Sequence, residues 1–120
     1  NTFKMPDEDA FITDVVTVVG VIIESEHDPY PYNLDNKVYG ENTFEGATSL
    51  TVTLNYETEG QYYDWIYLYD SAENAYGKYA GSKKTETITI PGDYIKVVFR
   101  TNDSKNNYYG FKATIIPNYD

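Results

Sequence analysis

Ser49–Glu57 reads SLTVTLNYE. Leu50, Val52, Leu54 and Tyr56 alternate with Thr51, Thr53, Asn55 and Glu57. A period of two puts one set on one face of a strand and the other set on the opposite face. The segment is therefore predicted to be a half-buried β-strand of an antiparallel sheet. Working outward, residues 65–70 (WIYLYD) set Ile66 and Leu68 against Trp65, Tyr67 and Tyr69. Residues 110–116 place Phe111, Ala113 and Ile115 on one face. Residues 14–24 (DVVTVVGVIIE) read as one long strand or two short ones, with Gly20 at a bulge or bend. Residues 85–90 and 93–100 flank the turn dipeptide Pro91-Gly92, so a hairpin is expected there. Residues 27–36 (HDPYPYNLDN) form a turn-rich connection, and residues 1–10 a linker or edge extension. No useful stretch shows apolar residues at helical spacing. The fold class that follows is all-β, an antiparallel sandwich or barrel, with its domain over residues 11–120.

The chain is 120 residues long, enough for one domain. It has no cysteine, which excludes a disulfide framework and thiolate zinc sites. One histidine, His27, leaves no material for imidazole metal clusters or His-based triads. His27 is read as a structural member of the Pro-Tyr-Pro turn. Nine Lys and Arg against nineteen Asp and Glu give a net charge of -10. Such a balance disfavours nucleic acid and anionic lipid, and no apolar run is long enough to insert in a membrane. The opening NTFKMPDED stretch lacks the basic segment and apolar core of a signal peptide, which leaves export open. Fourteen tyrosines supply much of the apolar content; tyrosine suits strands and binding surfaces alike.

Oxygen ligands are what remain plentiful, and they suit hard cations such as calcium. Glu57, Glu59 and Asp64 crowd the loop after the alternating strand. Asn102, Asp103, Ser104, Asn106 and Asn107 crowd a second loop. Either loop alone reads first as a turn whose Asp and Asn bond their own backbone. A calcium shell of six to eight oxygens would need both loops at one end of the sandwich.

Five stretches, in order, resemble the CUB domain family. Residues 20–33 (GVIIESEHDPYPYN) resemble its opening strand and Tyr-Pro turn. Residues 45–52 (EGATSLTV) resemble the lead into its core strand. Residues 56–70 (YETEGQYYDWIYLYD) are similar to its Glu…Asp-x-Leu-x-Ile-x-Asp segment. Residues 77–81 (GKYAG) resemble the turn that follows, and residues 97–113 (VVFRTNDSKNNYYGFKA) its Val-x-Phe-x-Ser-Asp…Gly-Phe-x-Ala signature. The resemblance implies a jelly-roll-like, CUB-type sandwich. From the family's calcium-binding members it implies Ca2+ held by Glu59, Asp64 and Asp103, the Lys105 carbonyl and the Asn106 amide oxygen. Tyr30 would stand behind the Glu, with Ser104 beside the shell. Here Glu59 and Asp64 are closer in sequence than in disulfide-bearing members, so Glu57 is a rival ligand. Asn102-Asp103-Ser104 also departs from the family's Ser-Asp-x-Ser, with Lys105 in place of the second serine.

The function expected from this resemblance is a non-enzymatic, calcium-binding interaction module of a larger secreted or cell-surface protein. Its protein partner would offer Lys or Arg to the site carboxylates. Tyr62, Tyr63, Tyr108 and Tyr109 flank the two loops. They read either as cross-strand aromatics or as a partner-binding surface. Two alternatives stay open. One is a calcium-assisted carbohydrate-binding module using exposed tyrosines. The other is a structural spacer or a domain that self-associates through an edge strand. Paired carboxylates could serve a glycosidase, but acids confined to two loops offer no substrate cleft. Trp65 is read as a packing residue rather than a sugar platform.

Overall fold

A computed structural model describes residues 20–59, 63–82 and 84–119. Residues 1–19 and Tyr62 lie outside it, and with them the expected linker and the first half of the 14–24 strand. Eight strands follow in chain order: β1 (Val21–Glu24), β2 (Lys37–Thr43), β3 (Ser49–Glu57), β4 (Trp65–Tyr69), β5 (Ala75–Tyr79), β6 (Lys84–Pro91), β7 (Tyr94–Arg100) and β8 (Gly110–Asn118). One sheet has the order β1-β8-β3-β6 and the other β2-β7-β4-β5. Every pairing is antiparallel. The all-β sandwich expected from sequence is the observed architecture.

The alternation in β3 fixes its place. Leu50, Val52 and Leu54 are fully buried and Tyr56 nearly so, while the intervening residues are half-exposed. β3 is central, with Val52 opposite Ile88 of β6 and Ile115 of β8. Ile66 and Leu68 of β4, Ile95, Val97 and Phe99 of β7, and Phe111, Ala113 and Ile115 of β8 are fully buried. Together they fill the space between the sheets. Each large apolar side chain buried this way contributes about 1.5–3 kcal/mol before entropy is counted. Phe99 sits edge-on to Phe111 at 5.1 Å, and Tyr39 meets Phe111 edge-on at 5.5 Å.

The expected hairpin across Pro91-Gly92 does not form. β6 pairs with β3 in one sheet, whereas β7 pairs with β2 and β4 in the other. Gly92, at φ +98°, donates its N–H to the Thr48 carbonyl, and the turn carries the chain across the sandwich. The reason lies in β7. Val97, Val98 and Phe99 are buried in succession, so Val98 is covered even on the face turned away from the core. Val38 of β2 and Tyr67 of β4 flank Val98 on that face, two neighbours that a place outside edge strand β6 does not offer.

Two strands escaped the pattern. β2 (KVYGENT) carries a bulge between Val38 and Gly40 that breaks its alternation. β5 (AYGKY) is short and interrupted by Gly77. The strand expected over 65–70 ends at Tyr69, because the Asp70 carboxylate accepts the N–H groups of Ala72 and Asn74 in a side-chain turn.

Candidate functional site

β3 ends where β8 begins, with Glu57 opposite Gly110, and β4 begins where β7 ends, with Trp65 opposite Arg100. The loops after β3 and β7 therefore meet at one end of the sandwich, as a two-loop site requires. The connection from β1 to β2 joins them, since Asn33 N–H donates to the Asn102 carbonyl at 2.6 Å and Asp28 N–H to the Tyr108 carbonyl at 3.2 Å.

Tyr30 is the pivot. Its ring is 1% exposed and packs on Phe99 at 5.0 Å. Its hydroxyl donates to Asp64 Oδ2 and accepts the Glu59 N–H at 2.8 Å. Burial, and then the bond to Asp64, push the Tyr30 phenol far above its ordinary range. Asp64 is fully buried, and its other oxygen, Oδ1, accepts the Asn102 N–H at 2.8 Å. A charge taken out of water needs such partners on each oxygen. Thr58, also buried, fastens the bend after β5, with its hydroxyl accepting the Gly81 N–H at 2.7 Å.

Glu59 differs. Its Oε1 is buried and finds no hydrogen-bond partner among the described residues. Glu57, on the outer side of β3, accepts the Tyr109 N–H at 3.4 Å. Asn106 is buried and acts as a staple. Its Nδ2 donates to the Tyr30 carbonyl and its Oδ1 accepts the Tyr108 N–H, both at 3.1 Å. Ser104 N–H donates to Asn102 Oδ1 in a local turn, while Asp103 and Lys105 stand exposed. Among the described residues, no three His, Cys, Asp or Glu side chains gather closely enough to hold a metal ion.

Gly110 makes the tight approach of β8 possible. At φ +92°, a Cβ there would stand 2.2 Å from Ser25 Oγ and 2.9 Å from the Glu26 carbonyl. Ser25 is buried and its Oγ accepts the Phe111 N–H at 2.9 Å. His27 lies beside this contact, stacked on Tyr109 at 4.0 Å, with its ring nitrogens 2.7 Å from Glu24 Oε1 and from the Tyr109 carbonyl. Of the flanking tyrosines, Tyr63 is 57% and Tyr108 39% exposed, and Tyr109 is half-covered by His27. The face of β4 turned away from the core carries Trp65, half-exposed beneath the Lys78 ammonium at 4.3 Å.

Two four-stranded antiparallel sheets, the buried Tyr30–Asp64 pair and the Gly110-Phe111 turn-in occur in the order of the five family-like stretches. A CUB domain profile matches residues 13–115. The chain belongs to the CUB domain family. Its fold is similar to the CUB1-EGF-CUB2 domain of human MASP-1/3, with a TM-score of 0.62 and 18% identity over 84% of this chain and 42% of that one. At that identity the likeness shows the fold, and the chain spans about two fifths of that structure's length. No curated protein matches it in sequence. CUB domains are in general protein-interaction modules of extracellular proteins and are typically non-enzymatic. Within the described residues, no helix is long and apolar enough to cross a membrane.

Proposed function

We propose that this CUB domain is a non-enzymatic, calcium-binding interaction module of an extracellular or cell-surface protein. Its acidic end receives a Lys or Arg side chain from a protein partner. One observation carries the reading: the orphaned Glu59 Oε1, buried beside the Tyr30 hydroxyl that also binds Asp64. A buried carboxylate oxygen without a donor costs free energy, and a hard cation satisfies it with the ligand type it prefers. Glu59, Asp64 and Asp103 would hold the ion, with the Lys105 carbonyl and the Asn106 amide oxygen. Bound calcium supplies the positive charge that lets these acids lie together. Asp103 is exposed and completes the shell by moving inward. Glu57 lies on the outer side of β3, whereas Glu59 Oε1 is buried without a partner among the described residues, which favours Glu59 as the ligand.

The carboxylates then do two things. They fix the ends of the loops, and their remaining negative charge, on a chain of net charge -10, attracts a cationic side chain. Tyr63 and Tyr108 stand at the rim as contact surface. The test is thermal unfolding of this chain with excess calcium and with chelator, on the parent and on Glu59→Gln and Asp103→Ala. A rise with calcium in the parent that both variants lack is expected. The same unfolding temperature in calcium and chelator would sink the reading.

A further inference from the structure

β4 lies between β7 and β5 in its sheet. Its alternation buries Ile66 and Leu68 and turns Trp65, Tyr67 and Tyr69 outward, all three half-exposed. Alternate residues of a strand stand roughly 7 Å apart, so the three rings form a row along the outer face. Tyr67 and Tyr69 are nearly parallel, with centroids 6.1 Å apart and planes at 21°. Register places cations on both sides of this row. On β7, Arg100 is opposite Trp65 and Lys96 opposite Tyr69, and on β5, Lys78 is opposite Tyr67. The Lys78 ammonium lies over the Trp65 ring at 4.3 Å and the Lys96 ammonium over the Tyr69 ring at 5.3 Å. Val98, opposite Tyr67, and Val38, 45% exposed, add apolar surface beside them. The acids that approach this face are engaged. Glu73 pairs with Lys96 at 3.3 Å, Glu41 accepts the Tyr94 hydroxyl, and Asp70, just past the row, holds its own turn. Lys78 and Arg100 have no carboxylate partner among the described residues. On a chain of net charge -10 this face is locally cationic.

We infer that the outer face of β4 and β7 binds a carboxylated polysaccharide, a run of uronic acid units laid along the row Trp65–Tyr67–Tyr69. The face of an aromatic ring is electron-rich and attracts the polarised C–H groups on the flat side of a sugar ring. Lys78, Arg100 and Lys96 take the carboxylates. The two lysines already stand over rings as cation–π pairs, so a carboxylate draws each ammonium aside and leaves its ring to the sugar. An extended peptide has less to hold here. β4 and β7 are flanked by strands on both sides, which leaves no open ladder to add to. The net charge opposes the dense phosphates of a nucleic acid, whereas a uronate chain carries its charge more sparsely. The assignment gives Trp65 a platform role in place of the packing role read from sequence. It is separate from the acidic end and does not depend on calcium there.

The test titrates the 15N-labelled chain with a linear hexamer of galacturonic acid, in calcium and again in chelator. It follows amide shifts and the emission of Trp65, the only tryptophan. Expected in both buffers are a change in Trp65 emission and shifts along 65–69 and 96–100. The methyl ester of the hexamer should bind at least tenfold more weakly. So should the acid to the double variant Lys78→Gln, Arg100→Gln, whose two sites are exposed and carry no packing, and to Tyr67→Ala. Unchanged emission and unshifted amides on this face would overturn the site. Equal binding of acid and ester, or of parent and variants, would overturn the roles given to the cations and the rings. A hexapeptide of glutamate binding as tightly would make the occupant an acidic protein and overturn the glycan. Binding only in calcium, with shifts confined to the loops at 57–64 and 102–107, would move the ligand to the acidic end and overturn this face.

Discussion

The Tyr30 hydroxyl is shared between two acidic residues, donating to the buried Asp64 carboxylate and accepting the backbone N–H of Glu59. One side chain from the β1–β2 connection thus ties the end of β3 to the start of β4. Removing its oxygen leaves a buried carboxylate oxygen and a backbone donor unpaired. Bonds to charged groups are worth about 1.5–3 kcal/mol. Tyr30→Phe should lower stability in urea unfolding at neutral pH by about 2–3 kcal/mol. A loss of a few tenths would show that water replaces the hydroxyl.

Alkaline pH should destabilise the fold through its tyrosines. Burial, aided by Asp64, raises Tyr30, and burial, aided by Glu26, raises Tyr39. The bond to Glu41 moves Tyr94 up to about 12. An unfolded phenol titrates near 10. Raised groups hold their protons more tightly when folded, so their contribution is complete below pH of about 10. It is lost as the pH climbs through the folded values. Tyrosinate absorbance should therefore lag in the folded chain and jump on unfolding. Fourteen phenols titrating together near 10 with the fold intact would contradict this.

Gly110 and Gly92 separate steric from conformational cost. Both have positive φ, at +92° and +98°. A Cβ at Gly92 meets nothing within 4 Å, whereas at Gly110 it meets Ser25 Oγ at 2.2 Å. Gly92→Ala should cost about 1–2 kcal/mol, the left-handed penalty alone. Gly110→Ala should cost more, about 3 kcal/mol or beyond, because overpacking adds to it. Equal losses in denaturant unfolding would show that the Ser25 contact yields freely.

Glu57 and Glu59 should behave differently. At calcium a thousandfold above its dissociation constant, the native state gains about 4 kcal/mol. For a domain of this size that is roughly 15 °C in Tm. Glu57→Gln should keep most of that gain and Glu59→Gln should lose it. The reverse pattern in a melting series would move the ligand to Glu57.

Much of this was legible before any coordinates. The alternation in 49–57, 65–69 and 110–116 gave strands, because a half-buried strand writes its burial into every second residue. The five family-like stretches named the family. β2 and β5 stayed hidden because a bulge and a glycine break the same signal. At the site, Asp64 and Asn106 were marked by residue type and by the family resemblance. Their burial, and the split between Glu57 on the outer side and Glu59 beside Tyr30, were not.

The sequence by itself determined the all-β class, the alternating faces of 49–57, 65–69 and 110–116 and the two acidic loops, since these follow from local periodicity and composition. Only the tertiary structure decided which strands are neighbours, that Pro91-Gly92 crosses between sheets and that Glu59 Oε1 finds no partner among the described residues. Backbone hydrogen bonds are alike for every residue, so pairing is set by where whole faces find cover. That is a property of the assembled layers and not of any one segment.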